Sequence, residues 1–158
     1  MSGMTVEARL QRLEDIEAVR QLKYRYTALC DEDFKADGIA ELFTEDAIWD
    51  GGPLGRCEGR EAIRAFFGVA AARMPFAIHH VTNPLIEVDA DRATGRWYLW
   101  QPCVVAEGNQ AAWIAGRYFD RCRRQSDGWR FEHVRIELRM FSPYESGWAK
   151  TPLLEIPR

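Results

Sequence analysis

Membrane spans, a basic excess and low-complexity segments are all missing from this sequence of 158 residues. Its longest apolar runs, such as residues 66–72, are far shorter than the roughly 20 residues that a membrane helix needs. A formal charge of -3 excludes the strong positive charge typical of nucleic-acid-binding domains, and a hydrophobic content of 47% excludes a disordered chain. We therefore expect one globular domain whose partner is a small organic molecule, with neither a membrane nor a nucleic acid as partner.

Cysteine and histidine are scarce, and neither shows the spacing of metal ligands. No Cys-x-x-Cys pair occurs, and the three histidines have no helical or finger-like spacing. We predict no metal site, and reduced cysteines that pack in the core: Cys30, Cys57, Cys103 and Cys122. Residues 1–12 contain three charged residues and no continuous apolar segment, so a secretory signal is not expected and the predicted location is cytoplasmic.

The hydrophobic pattern predicts helices first and strands afterwards. Apolar residues recur at steps of three and four from Thr5 to Cys30, which predicts a long amphipathic helix. Shorter helices are expected at Ala36–Phe43 and Arg60–Arg73. From Phe76 onward, β-branched and aromatic residues form four runs separated by turn-forming residues. The predicted strands are Ala47–Asp50, 77–88, 93–106, 111–124 and 128–140.

This order of elements predicts an α+β fold. A mostly antiparallel sheet with three helices on one side must curl around them to bury its apolar face, which leaves a cone-shaped interior. We assign residues 1–140 to this single domain. The tail, residues 141–158, is too apolar for a free terminus, so it either covers the mouth of the cone or packs on another subunit. The aromatic outer face favours a homo-oligomer, either a dimer or a trimer.

The pair His79 and His80 is the strongest indication of chemistry. The unperturbed pKa of histidine, about 6.5, allows proton transfer near neutral pH, and only one of two adjacent strand residues can face a given cavity. Asp31 ends the first helix, where a negative charge opposes the helix dipole, so we expect another role for it. A carboxylate there can orient a histidine base, while Tyr26 on the buried stripe can assist a leaving hydroxyl or an enolate.

Arg135 is a candidate anchor for a substrate carbonyl or carboxylate. The alternation of residues 133–139 puts Val134 and Ile136 on the opposite face, which favours a solvated outer position for Arg135 unless a β-bulge re-aims the strand. Tryptophans offer flat apolar walls for a ring system, or else simply belong to the core. They are Trp49, Trp97, Trp100 and Trp113.

Several local strings resemble the SnoaL-like branch of the nuclear transport factor two superfamily, over nearly the whole chain. Within that branch the chain is similar to the bile-acid dehydratases, the scytalone dehydratases and the hexachlorocyclohexane dehydrochlorinases. The strings similar to the bile-acid enzymes are Leu22-Lys23 with Tyr26 and Asp31, residues 93–99 and residues 133–136. Those that resemble the dehydrochlorinases are Ile78-His79 with Thr82-Asn83, and residues 107–110.

The resemblance implies a cone of three helices and a curved sheet, and a cofactor-free elimination. In that reaction His79, supported by Asp31, removes a proton while Tyr26 assists the leaving group and Arg135 contacts the substrate. A tyrosine at position 26, where the dehydrochlorinases have lysine, favours hydroxide over halide as leaving group. The expected substrate is a cyclic, largely apolar compound such as a steroid, a polyketide or an aromatic catabolite.

Two positions depart from the bile-acid pattern. Gln101 stands where those enzymes have an acidic residue, and a pocket tyrosine of the first strand falls near Gly51. We count Gln101, with Trp49, Trp97 and Trp113, among the substrate-contacting residues. Because fold alone does not fix function, an isomerase or cyclase with the same dyad, and a non-catalytic ligand-binding or accessory subunit, stay open beside the lyase.

Overall fold

A computed structural model describes residues 3–154 and has helices packed on one curved sheet. The helices are α1 (Val6–Asp31), α2 (Ala36–Glu41), α3 (Arg60–Gly68), α4 (Ala70–Arg73) and α5 (Gly147–Lys150). The strands are β1 (Phe43–Asp50), β2 (Arg56–Glu58), β3 (Phe76–Ala77), β4 (His80–Asp89), β5 (Arg92–Val105), β6 (Gln110–Gln125) and β7 (Gly128–Pro143). The predicted α+β fold is confirmed.

The seven strands form a single sheet in the order β2-β1-β7-β6-β5-β3, and β4 also pairs with β5. Every pairing is antiparallel except that of β1 with β7. Burial alternates over most of β5 and β6, so that in β5 the residues Ala93, Trp97 and Leu99 are buried while their neighbours are exposed. One face of the sheet therefore meets the helices and the other faces outward.

The second helix ends earlier than the sequence predicts. Helix α2 stops at Glu41 and β1 already begins at Phe43, because β7 pairs with this segment: the Phe131 N–H donates to the Leu42 carbonyl at 2.8 Å. The Arg60 side chain donates two further hydrogen bonds to the Phe43 carbonyl. Tertiary pairing thus overrides the local helical pattern.

Two predicted elements are interrupted. The third helix is divided into α3 and α4 at Val69, whose ψ of -2° leaves helical geometry after Gly68, a residue with low helix propensity. The strand predicted at 77–88 is divided at Ile78 and His79. The His79 N–H is taken by the Asp31 carboxylate instead of by a neighbouring strand, which ends β3 and delays β4 until His80.

Only part of the apolar stripe of α1 is buried. Val19, Leu22 and Tyr26 belong to the core, whereas Leu10 and Leu13 are exposed because the first turns of α1 do not reach the buried core. Two charged residues of α1 are buried instead. Asp15 accepts two hydrogen bonds from the Arg124 guanidinium, and Lys23 forms an ion pair with Asp120 at 3.1 Å.

The tail continues the sheet before it turns back. Strand β7 extends to Pro143, and Leu153 returns to form a parallel bridge with Phe141. Trp148 of α5 contacts Trp100 on the outer face. Residues 155–158 of this tail lie outside the described residues. None of the helices within 3–154 is long and apolar enough to cross a membrane.

Candidate active site

A cavity of about 680 Å³ lies between the helices and the concave face of the sheet. Its walls come from the end of α1, the turn after β1, helices α3 and α4, and the inward side chains of β5, β6 and β7. Most of its lining is aliphatic or aromatic, as is usual for sites that bind small organic molecules. The polar side chains that face the cavity are few.

His79 and Asp31 form a hydrogen-bonded pair at the wall of this cavity. The His79 Nδ1 lies 2.6 Å from Asp31 Oδ1, and the backbone N–H of His79 donates to the same carboxylate at 2.9 Å. Because an ionised carboxylate can only accept a hydrogen bond, Nδ1–H of the neutral imidazole is the donor to Asp31, and the lone pair is on Nε2. Within the described residues Nε2 has no hydrogen-bond partner, and the His79 side chain lines the cavity with only 7% of its surface exposed.

The turn after α1 fixes this geometry. Asp31 is the last residue of α1, where its charge opposes the helix dipole, and its contact with His79 gives it another use. Asp33 and Phe34 follow with φ of 59° and 49°, a left-handed conformation that costs a bulky residue free energy. This turn brings the Phe34 ring into the cavity, edge-on to the His79 imidazole at 6.2 Å.

His80, the other member of the pair, lies on the outer face. It is exposed and stands opposite Trp100 in the register of β4 and β5. His79 lies in the break between β3 and β4, where its backbone N–H and ring bind Asp31, whereas His80 is the first residue of β4 and faces outward. The structure therefore assigns the cavity to His79. This assignment was left open by the sequence alone.

Tyr26 of α1 is buried, with its phenol oxygen accepting a hydrogen bond from Trp49 Nε1 at 2.9 Å. Both residues line the cavity. Burial raises the pKa of Tyr26 well above its ordinary value, so the phenol keeps its proton. Because the indole already donates to its oxygen, the hydroxyl hydrogen of Tyr26 is directed elsewhere, and Tyr26 is suited to be a hydrogen-bond donor.

Gly51 explains how the Trp49 ring fits. A Cβ at position 51 would lie 2.4 Å from Cη2 of Trp49, so a larger residue at 51 and this indole position exclude each other. The Trp49 ring thus takes the space next to Gly51, near the position at which the resemblance to the bile-acid enzymes implies a pocket tyrosine. The Trp49 indole also packs on Phe66, with ring centroids 4.6 Å apart.

Tyr118 is the second tyrosine that lines the cavity, and the buried ammonium group of Lys23 lies over its ring. Lys23 Nζ lies 3.2 Å from the Tyr118 ring centroid and 3.1 Å from the Asp120 carboxylate. Burial lowers the pKa of Lys23 and raises the pKa of Asp120, and their mutual attraction opposes both shifts. Burial also raises the pKa of Tyr118. A buried ion pair therefore packs against Tyr118 in the wall of the cavity.

Further out, polar groups are sparse. Gln101 is buried and faces the cavity, where its Nε2 donates to the Met74 sulfur at 3.2 Å. Since a thioether is a weak acceptor, most of the hydrogen-bonding capacity of this amide is free for a ligand. Arg73 and Glu107 lie at the rim, and Ala106 between them donates its N–H to the Arg73 carbonyl.

The structure does not bring Arg135, Trp97 or Trp113 to this cavity, so their positions give no support to the predicted contacts with a substrate there. The β-bulges of the β6–β7 ladder lie on either side of Arg135, so the alternation holds and Ile136 faces inward instead. Trp97 is buried against Tyr24 of α1, away from the cavity. Trp113 stacks on Trp100 on the outer face, with ring centroids 5.1 Å apart.

Sequence reasoning missed Phe34, Phe66, Phe67 and Tyr118 as lining residues. Tyr118 could have been found from the alternation in β6, which places it on the same face as Ile114 and Cys122. The position of Phe34 depends on the left-handed turn and had no comparable signal. Cys30 also lines the cavity, and burial raises its pKa, which disfavours the nucleophilic thiolate.

The described part of the chain, 3–154, contains no group of three or more His, Cys, Asp or Glu side chains that could hold a metal ion. All four cysteines are free, and three of them are buried, as the sequence predicts. The polar groups that a ligand can meet in the cavity are therefore an imidazole, two phenols and an amide, with one arginine and one glutamate at the rim.

Comparison with known proteins gives relatives over most of the chain. An uncharacterised protein of Mycobacterium tuberculosis is 29% identical over 131 residues, which cover 82% of this chain and 88% of the relative. The solved structure of hexachlorocyclohexane dehydrochlorinase LinA type 2 is similar at 26% identity, with a TM-score of 0.79 and coverage of 85% and 92%. A provisionally named aromatic ring hydroxylase from Novosphingobium aromaticivorans is 30% identical, with a TM-score of 0.76 and coverage of 83% and 94%.

The family follows from a match over most of the sequence. The profile of the SnoaL-like domain matches residues 11–135, which include Tyr26, Asp31 and His79. The similarity to a dehydrochlorinase structure agrees with one of the three groups that the sequence resembles. The chain therefore belongs to the SnoaL-like domain family.

Proposed function

We propose that this protein is a cofactor-free lyase that removes water from a cyclic, largely apolar compound. The observation that carries the proposal is the His79–Asp31 pair at the wall of an apolar cavity, with Nε2 of His79 free to accept a proton. LinA, whose solved structure this chain resembles at 26% identity, is a hexachlorocyclohexane dehydrochlorinase, so a protein of similar structure carries out an elimination.

In the proposed reaction, His79 Nε2 removes a proton from a carbon next to a carbonyl or another activating group. Asp31 holds the imidazole by its Nδ1–H and stabilises the positive charge that develops on it. The electrons of the broken C–H bond form the new double bond as hydroxide leaves. The departing hydroxide takes up the proton that His79 removed, so the products are an alkene and water, and His79 is neutral again.

Tyr26 is the proposed donor to the leaving oxygen. Its pKa is raised by burial, so the phenol is neutral and can donate, and Trp49 holds it by the oxygen. In an apolar cavity such a hydrogen bond is stronger than it would be in water. A neutral phenol suits a departing hydroxide, which needs a proton, better than a halide, which needs none.

The test compares His79→Ala with His80→Ala, since the second histidine is adjacent in sequence and lies on the outer face. Each variant is incubated with a panel of cyclic β-hydroxy carbonyl compounds, and loss of one water is followed by mass spectrometry. We expect His79→Ala to lose a factor of about 10²–10⁴ in turnover, while His80→Ala stays within about twofold of the original. A loss of less than about tenfold in His79→Ala would mean that His79 is not the base.

An isomerase or cyclase using the same dyad is distinguished in the same assay. Either reaction moves a proton but retains the mass of the substrate, so it gives a product without loss of water. In heavy water, deuterium would enter the substrate at the carbon that His79 deprotonates. Tight binding without any turnover or deuterium exchange would instead indicate a ligand-binding subunit.

A further inference from the structure

The outer face of the sheet carries a second concave site, a groove of about 500 Å³ opposite the cavity. Two adjacent rows of cross-strand neighbours form it. The first row is Leu85, Arg96, Phe119 and Arg135, and the second is Glu87, Thr94, Arg121 and His133, each running from β4 through β5 and β6 to β7. We call these eight residues the outer groove.

Positive charge in the outer groove is poorly compensated. Within the described residues, the side chains of Arg96 and Arg121 form no ion pair or hydrogen bond, and Arg135 meets Glu137 only at 3.9 Å. Glu87 is the exposed carboxylate of the groove, since Asp120, which also borders it, is buried and paired with Lys23. Most other arginines of the sheet have acidic partners, namely Arg56, Arg92, Arg117, Arg123, Arg124 and Arg130, although Arg139 near the end of β7 has none among the described residues. The chain as a whole has more acidic than basic residues.

The groove is held in place by packing. The Arg135 guanidinium lies 4.5 Å from the Phe119 ring centroid, and Arg96 stands on the other side of Phe119 in the same row. A stacked guanidinium is restrained, so its N–H donors keep a fixed direction and lose less entropy when they bind an anion. Phe119 and Leu85 form an apolar floor between the charges.

His133 supplies an independent sign of a missing partner. Its Nε2 is buried and has no hydrogen-bond partner among the described residues. Burial lowers the pKa of His133, and Arg121, Arg56 and Arg135 lower it further, against the opposing effect of Asp50. A buried ring nitrogen without a partner costs free energy, which a ligand in the groove can recover.

We propose that the outer groove binds a small polyvalent oxyanion, either a phosphate-bearing or a multiply carboxylated molecule, independently of the catalytic cavity. Three guanidinium groups provide the fork-shaped donors that oxyanions accept from. The volume of the groove suits a small molecule, and its apolar floor accommodates the body that carries the charged groups.

The experiment titrates the protein with inorganic pyrophosphate, citrate and sodium chloride, following backbone ¹⁵N–¹H shifts and the ring signals of His133. We expect saturable shifts confined to the outer groove, with pyrophosphate or citrate at concentrations at which chloride has no effect. Stronger pyrophosphate binding identifies a phosphate ligand, and stronger citrate binding a carboxylate ligand. Shifts spread over the whole basic surface, or equal effects of all three salts, would overturn the proposal.

Variants separate a built site from net charge. Arg96→Met and Arg121→Met should each weaken pyrophosphate or citrate binding at least about tenfold. Arg92→Met removes the same charge from β5 outside the groove and should change binding by less than about twofold. Equal losses in all three variants would overturn the proposal.

Size-exclusion chromatography at several protein concentrations is a second test. Self-association that Arg96→Met abolishes would mean that a second copy of the chain, not an oxyanion, occupies the outer groove.

Discussion

Replacing Lys23 with methionine would leave Asp120 buried without its ion-pair partner. Both side chains are almost fully buried, and Nζ of Lys23 also lies over the ring of Tyr118. Breaking a buried pair by removing one partner costs about 3–5 kcal/mol, because the remaining charge is neither solvated nor compensated. With an m-value of about 2 kcal/mol/M in urea, the unfolding midpoint should fall by about 1.5–2.5 M.

The cost should depend on pH in a defined direction. Burial raises the pKa of Asp120 in the folded protein above its unfolded value, and Lys23→Met removes the cation that opposes this shift. A carboxyl whose folded pKa is raised contributes fully to stability below the unfolded pKa and loses that contribution as the pH rises through the folded pKa. Lys23→Met should therefore be closer in stability to the original protein near about pH 4 than near about pH 7.

The double variant Lys23→Met with Asp120→Leu is the matched control. It removes the unpaired charge, so we expect it to regain most of the lost stability, to within about 1–2 kcal/mol of the original protein. Urea unfolding followed by tryptophan fluorescence and circular dichroism measures all three free energies. If Lys23→Met lost less than about 1 kcal/mol, or if the double variant were as unstable as the single one, the buried pair would not have the role described.

Three further changes test particular contacts. Trp49→Phe removes the indole N–H that donates to Tyr26, so it should lower the free energy of unfolding in urea by about 1–3 kcal/mol. Trp148→Phe, on the surface, should lower it by less than about 0.5 kcal/mol. Equal losses would mean that the hydrogen bond to Tyr26 does not contribute to stability. Asp15→Asn should lower the free energy of unfolding by about 1–2 kcal/mol near neutral pH, because hydrogen bonds from Arg124 lower the pKa of Asp15. A carboxyl whose folded pKa is lowered stabilises the protein above its unfolded pKa, so the difference between variant and original should vanish as the pH falls through the folded pKa. A difference in stability that persisted in acid would refute this cause. Gly116→Ala places a Cβ 2.4 Å from the Glu137 carbonyl oxygen, so it should lower the free energy of unfolding by about 1–3 kcal/mol and lower the thermal unfolding midpoint accordingly. Gly68→Ala, whose Cβ would have no atom within 4 Å, should be neutral or stabilising.

Much of the fold follows from local patterns. The period of three and four in α1, and the alternation in β5 and β6, predict the order of elements and which residues face inward. The predicted ends of helices and strands were wrong where the backbone forms hydrogen bonds with residues distant in the sequence. The Phe43 segment pairs with β7 instead of continuing α2, and the N–H of His79 binds Asp31 instead of a strand, neither of which local propensity can register.

The candidate site divides along the same line. Tyr26, Asp31 and His79 are recognisable in the sequence, because their residue types fit proton transfer and their positions match the family pattern. A β-bulge after Phe131 shifts the alternation of β7, so that Val134 and Ile136 face inward and Arg135 faces outward, away from the cavity. Trp97 and Trp113 show that a tryptophan on a strand can belong to the core or the outer face as readily as to a pocket.

The sequence by itself determined the helices-then-strands order, the reduced cysteines and the set of titratable residues from which a base must come. Only the tertiary structure decided that His79 and not His80 faces the cavity, and that 2.6 Å separates it from Asp31, 48 residues away in the chain. It alone also gathered three arginines around Phe119 in the outer groove. The physical reason is that local periodicity shows which residues share a face, whereas the face that meets the cavity and the partner of each side chain depend on which strands and turns pack together.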